Sequence, residues 1–433
     1  MGISLSNRLT KWTKRLFRHQ AKEPLPPDRA IIHRAHHNIT RKNISVHAVK
    51  VLYRLKDSGY DAFLVGGGVR DLLLGFHPKD FDVVTNAHPE KIRSIFRNSR
   101  IIGRRFRLVH VYFEDEIIEV STFRANIIEE SRESPNTKMS MIYRNNQYGT
   151  IEEDAWRRDF TVNALYYNIS DFSIIDFCGG MHDIQHRFIR MIGDPAQRYH
   201  EDPVRLLRAI RLSAKLNFRI ETQTESALIA LPHLLQHVPA SRLFDECLKL
   251  FFKGNASDTF KALHHYHYLE VLFPQVIEAL SIPKFEKLIQ LALMETDTRF
   301  VKGDSLNPAF LFSVFLWPAF QLKIEKFRNK KNKLYFQIHQ SIDEVMEQQL
   351  KTVTITRRNQ FAMQAIWILQ FQLERRRKSR IAMIASHRYF RAAVDFMGLR
   401  VRAGETSDEI FEWWKKFQLA DEKGRGKMIS ALS

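Results

Sequence analysis

Cysteine is almost missing from this chain: Cys178 and Cys247 are the two in 433 residues. They lie far apart, with no His or Cys beside them at ligand spacing, which excludes a disulfide framework and a local zinc site. No apolar run approaches the roughly 20 residues that a membrane-spanning helix needs, and the first residues lack a signal-peptide apolar core. Both shortages predict a reducing, cytoplasmic location. No internal repeat is found. Acidic residues are scarce against basic ones, 48 Asp and Glu to 67 Lys and Arg, a formal net charge of +19. Self-repulsion on that scale works against a compact state, so a polyanionic partner is expected, nucleic acid ahead of anionic membrane. What is plentiful is apolar side chain, 44% of the residues. At this length that predicts two or three cores, one mixed α and β and the others helical.

The stretch Leu64 to Thr85, LVGGGVRDLLLGFHPKDFDVVT, organises the rest. A short apolar run (Phe63, Leu64, Val65) breaks at Gly66, Gly67 and Gly68, restarts at Val69, and ends on Asp80-Phe81-Asp82-Val83-Val84. The pattern predicts strand, glycine turn, helix and a second strand. With a side-chain period of two, Asp80 and Asp82 share a face while Phe81 points into the core. Neighbouring carboxylates repel unless a cation lies between them, which makes a divalent metal the expected ligand. Backbone N–H groups at a glycine turn before a helix suit phosphate oxygens. A phosphate seat and a metal seat are therefore expected side by side.

Val46 to Lys56 and Pro89 to Phe96 predict helices, and Leu108 to Phe113 and Ile117 to Phe123 predict strands. In the last of these Glu119 alternates with Ile118 and Val120, so it becomes a third carboxylate if its face is the one that carries Asp80 and Asp82. A loop rich in Ser, Asn and Arg is expected at Glu130 to Asn146. Between Gly149 and Asn168, Arg157, Arg158 and Asp159 stand together before an aromatic run. Alone, such a trio reads as a surface ion pair. Beside a phosphate site its guanidiniums can clamp triphosphate oxygens, and the Asp can bind a metal or a ribose hydroxyl.

From residue 196 the pattern is helical. Asp202-Pro203 suits an N-cap and first turn, and Arg205, Arg208 and Arg211 follow along one helix face. That face is either simply solvated, or Asp202 and Arg205 read the Watson–Crick edge of a base. Farther on, apolar helices alternate with the basic runs Lys323 to Lys333, Arg357-Arg358 and Arg375 to Arg380. Basic runs interleaved with aromatics suit single-stranded nucleic acid, although most of these aromatics are expected in the core. At the other end, Leu5, Leu9, Trp12 and Leu16 recur among Arg and Lys. They sketch a basic amphipathic helix in a flexible extension, which allows contact with a membrane surface or with RNA.

Four motifs in order, Gly66-Gly67-x-Val69-Arg70-Asp71, Asp80-x-Asp82, Arg157-Arg158-Asp159-Phe160-Thr161-Val162-Asn163 and Glu201-Asp202-Pro203-x-Arg205-x-x-Arg208, carry a family resemblance. The chain resembles the class II nucleotidyltransferases of the DNA polymerase β superfamily, which include the tRNA CCA-adding enzymes and the bacterial poly(A) polymerases. The stretches Gly103 to Val111, Gly149 to Asn168 and Ser241 to Leu250, with the basic N-terminal extension, are more similar to the poly(A) polymerases.

The resemblance implies an α+β fold. A small mixed-sheet catalytic head at 46–195 would follow the extension 1–45 and precede an all-helical neck at 196–275 and a helical RNA-binding body at 276–433. It implies template-independent addition of AMP from ATP to RNA 3′ ends, with no covalent intermediate and no stable protein partner. Asp80 and Asp82 would hold two Mg²⁺ ions, with Asp159 as the third catalytic carboxylate and Glu119 as its alternative. Gly66, Gly67 and Arg70 would seat the triphosphate, Arg158 would assist, and Asp202, Arg205 and Arg208 would choose the base. Two other functions share the pattern. CCA addition to tRNA differs in the nucleotides incorporated, and non-catalytic RNA binding on this scaffold would be marked by loss of a carboxylate. Asp80, Asp82, Glu119 and Asp159 are all present.

Overall fold

The computed structural model describes residues 29–103, 107–125, 147–327 and 334–432. They form two units. The first takes the described residues up to Glu201 together with Asn217–Ala227, and the second takes Asp202–Leu216 with the described residues from Leu228 onward. The boundary expected near residue 275 falls inside the second unit, and the one expected near 195 comes a few residues early.

An eight-stranded mixed sheet underlies the first unit. Its strands are β1 (Ala30–Ile32), β2 (Ala62–Val65), β3 (Asp82–Thr85), β4 (Ser99–Ile102), β5 (Leu108–Tyr112), β6 (Ile117–Thr122), β7 (Leu165–Asn168) and β8 (Ile174–Asp176). Across the sheet they run β1-β8-β7-β2-β3-β6-β5-β4. β3 and β6 pair in parallel and the other neighbours antiparallel. The central β2, AFLV, is buried at every residue, as a strand covered on both faces must be. Three helices position the site: α1 (Val46–Asp57), α2 (Gly67–Leu73) and α3 (Pro89–Ile95). α1 turns Ala48, Val51, Leu52 and Leu55 inward, the spacing of a single helical stripe. Ser45 caps it, its Oγ accepting from the His47 and Ala48 N–H groups.

Two expectations are corrected. Residues 30–45 do not belong to a flexible extension: β1 pairs with β8 at the sheet edge, and Ile39 and Ile44 are buried, because apolar side chains at these positions find the core. Nor is the stretch 196–275 all helical. Phe188–Ile189 and Arg219–Ile220 form a parallel strand pair. Phe218 and Ile220 are buried two residues apart, the period of a strand. The helix expected around Leu5 to Leu16 and the loop at 130–146 lie outside the described residues.

In the second unit the helix Pro308–Phe327 is buried nearly all round. Phe320 stacks on Trp367 with centroids 4.7 Å apart. Each buried tryptophan has its N–H answered: Trp317 by Glu405, Trp367 by the Ser313 carbonyl, Trp414 by the Leu373 carbonyl. As expected, Phe327, Phe390 and Trp414 are core, whereas Tyr335 and Phe336 face solvent. Among the described residues no helix is long and apolar enough to cross a membrane. Both cysteines are buried and unpaired, and burial pushes the Cys178 thiol up to about 12, which makes it unreactive.

Candidate active site

Asp82 opens β3 and lies in register with Val65 of β2 on one side and Glu119 of β6 on the other. Residues paired across neighbouring strands project to one side of a sheet, so Glu119 stands beside Asp82. Asp80 sits just ahead of the strand. Phe81 between the two acids is buried while both acids are exposed, the alternation expected of them. The crowding is electrostatically costly. Although part of its surface is open, the protein packed around Asp82, followed by the charges of Glu119 and then Asp80, pushes its carboxyl up to about 6 against the pull of Arg158. His110 Nε2 approaches Glu119 at 3.4 Å.

The glycine turn comes to the same place. Gly66 has φ +77° and ψ −143°, a conformation open to glycine. A Cβ there would lie 3.5 Å from Asp82 Oδ2 and 3.9 Å from Arg158 Nη1. One on Gly68 would meet the Asp80 carbonyl at 3.4 Å and the Phe81 ring at 3.6 Å. These are contact distances, so α2 starts directly against the acidic segment, and the positive φ of Gly66 is what calls for glycine there.

The two arginines expected to hold phosphate are used differently. Arg70 is 4% exposed. Its Nε and Nη2 donate to Asp71 Oδ1 at 2.8 and 2.6 Å, and its Nη1 to Asn163 Oδ1 at 2.5 Å. Each nitrogen makes a hydrogen bond inside the protein, so Arg70 braces the turn. Arg158 donates from Nε to Asp154 Oδ2 and Tyr166 Oη, and from Nη2 to Asp154 Oδ2. Its Nη1, the nitrogen nearest Gly66, makes no hydrogen bond among the described residues. Burial acts to lower the Arg158 pKa, but Tyr166 and Asp154 outweigh it and raise it.

Asp154, 2% exposed, was not anticipated as a site residue, nor were Tyr166 and Arg124. Asp154 lies in the helix α4 (Ile151–Trp156) and also accepts from Arg157 Nε at 3.1 Å and the Arg124 N–H at 3.3 Å. Burial would raise its carboxyl, yet Arg158 and Arg157 hold it below the usual range. Arg124 is pushed down to about 10 by burial and by the Arg157 charge. Two guanidiniums and a backbone N–H thus share this one carboxylate, an excess of positive charge suited to a polyphosphate. The signal for Asp154 was its spacing, three and four residues before Arg157 and Arg158 on a helix.

Asp159, expected as the third carboxylate, is occupied locally. Its Oδ1 accepts from the Phe160 N–H at 2.8 Å and from Asn163 Nδ2 at 3.3 Å. Asp71, Arg70, Asn163 and Asp159 thus form a continuous hydrogen-bonded relay between two of the sequence motifs. Asp202, Arg205 and Arg208 belong to the second unit. There Asp202 starts α5 (Val204–Leu216), accepting from the Val204 N–H at 3.3 Å and pairing with Arg242 at 2.8 Å. Arg205 and Arg208 are half-buried on α5. Among the described residues no three His, Cys, Asp or Glu side chains form a ready metal cage. Mg²⁺ does not require one, because it commonly takes one or two carboxylates and completes its shell with substrate phosphates and water.

Comparison with known proteins agrees with this geometry. Residues 62–190 match the poly A polymerase head domain, 217–280 the probable RNA and SrmB-binding site of polymerase A, and 330–433 the polymerase A arginine-rich C-terminus. Poly(A) polymerase I of Salmonella typhi is 42% identical over 94% of this chain and 89% of its own length. A CCA-adding enzyme of Bacillus licheniformis is 36% identical over 50% of this chain and 52% of its own. The crystal structure of the Bacillus stearothermophilus CCA-adding enzyme in complex with CTP shares the fold: TM-score 0.58 and 21% identity, covering 89% of this chain and 88% of that one. Because the likeness to poly(A) polymerase I runs nearly end to end, the chain belongs to the bacterial poly(A) polymerase family of nucleotidyltransferases.

Proposed function

We propose that this protein is a polynucleotide adenylyltransferase that adds AMP from ATP to RNA 3′ ends without a template, producing poly(A) tails. The observation that carries the reading is the β3–β6 register, which sets Asp82 beside Glu119, with the Gly66 turn against the same carboxylate and Arg158 Nη1 near that turn. In the reaction the RNA 3′ oxygen bonds to the α-phosphorus of ATP while the bond to the β-phosphate oxygen breaks. Pyrophosphate leaves, and the hydroxyl proton passes to solvent. No bond to the protein is needed.

Family membership implies use of a divalent metal, and a corner where like charges already raise Asp82 fits two Mg²⁺ ions held by Asp80 and Asp82. Such ions, when bound, acidify the attacking hydroxyl and neutralise the triphosphate. Register favours Glu119 over Asp159 as the third carboxylate. Gly66 and Gly67 leave backbone N–H groups for phosphate oxygens, Arg158 supplies Nη1, and Arg70 positions the turn. Asp202, Arg205 and Arg208 choose the base, with donors and an acceptor matched to the N1 and N6 edge of adenine. Two unreactive thiols and an RNA substrate suit the cytoplasm. The test is incorporation from each NTP separately, with Mg²⁺ and a short RNA primer. A ladder from ATP alone is expected. Addition confined to CCA on tRNA would reassign the activity, and no incorporation at all would leave an RNA-binding protein.

A further inference from the structure

The second unit contains a cleft of about 1200 Å³ that the proposed reaction does not use. It is walled by α6 (Pro283–Lys302), the loop after it, α7 (Phe390–Ala403) and α8 (Asp408–Leu419). Six cations line it, Arg299, Lys302, Arg388, Arg391, Arg402 and Lys415, against three carboxylates, Glu295, Asp304 and Asp395. Arg402 is paired with Glu295, and Lys415 with Glu412. The other four are exposed and make no ion pair among the described residues. Arg391 and Arg299 nevertheless converge, for both pull on Asp395, whose carboxyl burial raises. An ordinary solvated basic face intersperses acids among its cations; here the excess positive charge surrounds one concavity.

Aromatic side chains share the lining. Phe310, Tyr389 and Phe411 are half-buried there. Phe411 reaches its position because α7 has glycine opposite it: a Cβ on Gly398 would come within 2.8 Å of the ring. Glycine inside a helix costs about 1 kcal/mol relative to alanine, so holding that ring at the cleft wall is a specific feature of the packing. Cations with ring faces between them match a single strand, its phosphates held by charge and its bases by stacking. An acidic peptide would use the cations and leave the rings without a role.

We infer that this cleft is a binding site for single-stranded RNA, with Arg299, Lys302, Arg388 and Arg391 on phosphates and bases stacked on Phe310, Tyr389 or Phe411. The choice of RNA as the polyanion rests on the reading of the protein as an RNA-extending enzyme. Four phosphate contacts give a salt slope of roughly −2.8 in log affinity against log salt, at about 0.7 per contact for a single strand.

The experiment uses the full-length protein and a labelled single-stranded RNA carrying 2-aminopurine, without ATP. Arg299→Ala/Arg391→Ala is compared with Lys423→Ala/Lys427→Ala, which removes equal charge from exposed residues of the same unit that lie off the cleft and make no ion pair among the described residues. The cleft pair is expected to weaken binding at least about tenfold, lower the slope by roughly 1.4 and relieve the quenching of 2-aminopurine by ring stacking. Thermal melts establish that both variants fold. Equal losses in the two pairs, or unchanged quenching in the cleft pair, would overturn the assignment, since net charge alone would then set affinity. The two readings fail separately. Tailing with ATP alongside equal losses removes the cleft and keeps the polymerase, and cleft-dependent binding without incorporation does the reverse.

Discussion

Asp154→Ala removes a carboxylate that is 2% exposed and accepts from the Arg124 N–H, Arg157 Nε, Arg158 Nε and Nη2, and Tyr166 Oη. Breaking a buried pair by deleting one partner costs about 3–5 kcal/mol, because the surviving charge stays desolvated. Arg158 and Arg157 keep 21% and 31% of their side-chain surface and can partly recover water, so the lower end, about 3 kcal/mol, is expected. At about 2–4 °C per kcal/mol for a unit of this size, the first unit should melt roughly 6–12 °C lower. Calorimetry on the full chain measures this. The double variant Asp154→Ala/Arg158→Met should recover part of the loss, since it removes the stranded cation, while AMP incorporation stays low in both. The sign with pH is also set. Asp154 is held below the ordinary carboxylate range, so its contribution is complete above that range and fades as pH falls through its folded-state value; the gap between wild type and Asp154→Asn should close below about pH 4. A loss under about 1 kcal/mol, or no recovery in the double variant, would refute the view of Asp154 as the anchor of Arg158.

Asp82→Asn should lower kcat by at least about 10³-fold with little change in RNA affinity, since several kcal/mol of transition-state stabilisation act through that carboxylate. In metal-free buffer the same variant should be more stable than wild type at neutral pH. The Asp82 carboxyl is raised to about 6, so wild type loses stability as pH rises through that value, and equal melts at pH 7 would contradict the crowding of charge described above. Glu119→Gln should lose activity and shift the Mg²⁺ dependence while leaving the melt nearly unchanged, whereas Asp159→Asn should loosen the turn at Phe160 and lower the melt; the reverse pattern would return the third-carboxylate role to Asp159. Gly66→Ala should cost about 1–3 kcal/mol through its positive φ and raise the KM for ATP, and a normal KM would separate the turn from the triphosphate.

Much of the site was legible in the sequence because its parts obey local rules. A period of two placed Phe81 inside and both Asp80 and Asp82 outside, and the same alternation singled out Glu119 before its register was known. Strand pairing was not legible, since β3 meets β6 across 37 residues by sequence count and no local pattern encodes a parallel neighbour. The short strands β1, β4, β7 and β8 also escaped notice. All four have only three or four residues, too few for a period to declare itself. Tyr166 reads as one more core aromatic, and only the fold shows its hydroxyl turned to Asp154 and Arg158.

Arg70 and Arg158 show most sharply what sequence motifs leave open. Each follows a phosphate-suited pattern, and each guanidinium carries five N–H donors in a fixed fork. A residue can clamp a triphosphate only with donors that the protein has not already engaged. Arg70 has a donor from each of its three nitrogens on Asp71 and Asn163 at 4% exposure, so its positive charge is matched and little of its fork is open. Arg158 is braced just as firmly through Nε and Nη2, but the brace stops at one edge and leaves Nη1 toward Gly66 and Asp82. Rigid support on one edge with free donors on the other is what preorganised electrostatic stabilisation requires, because the donor then need not reorient as charge develops on the leaving pyrophosphate. Of the two arginines, Arg158 is therefore the one whose replacement by lysine should cost catalysis even in a stably folded protein. Lysine restores the charge but cannot hold Asp154 with one edge and present a second edge to phosphate.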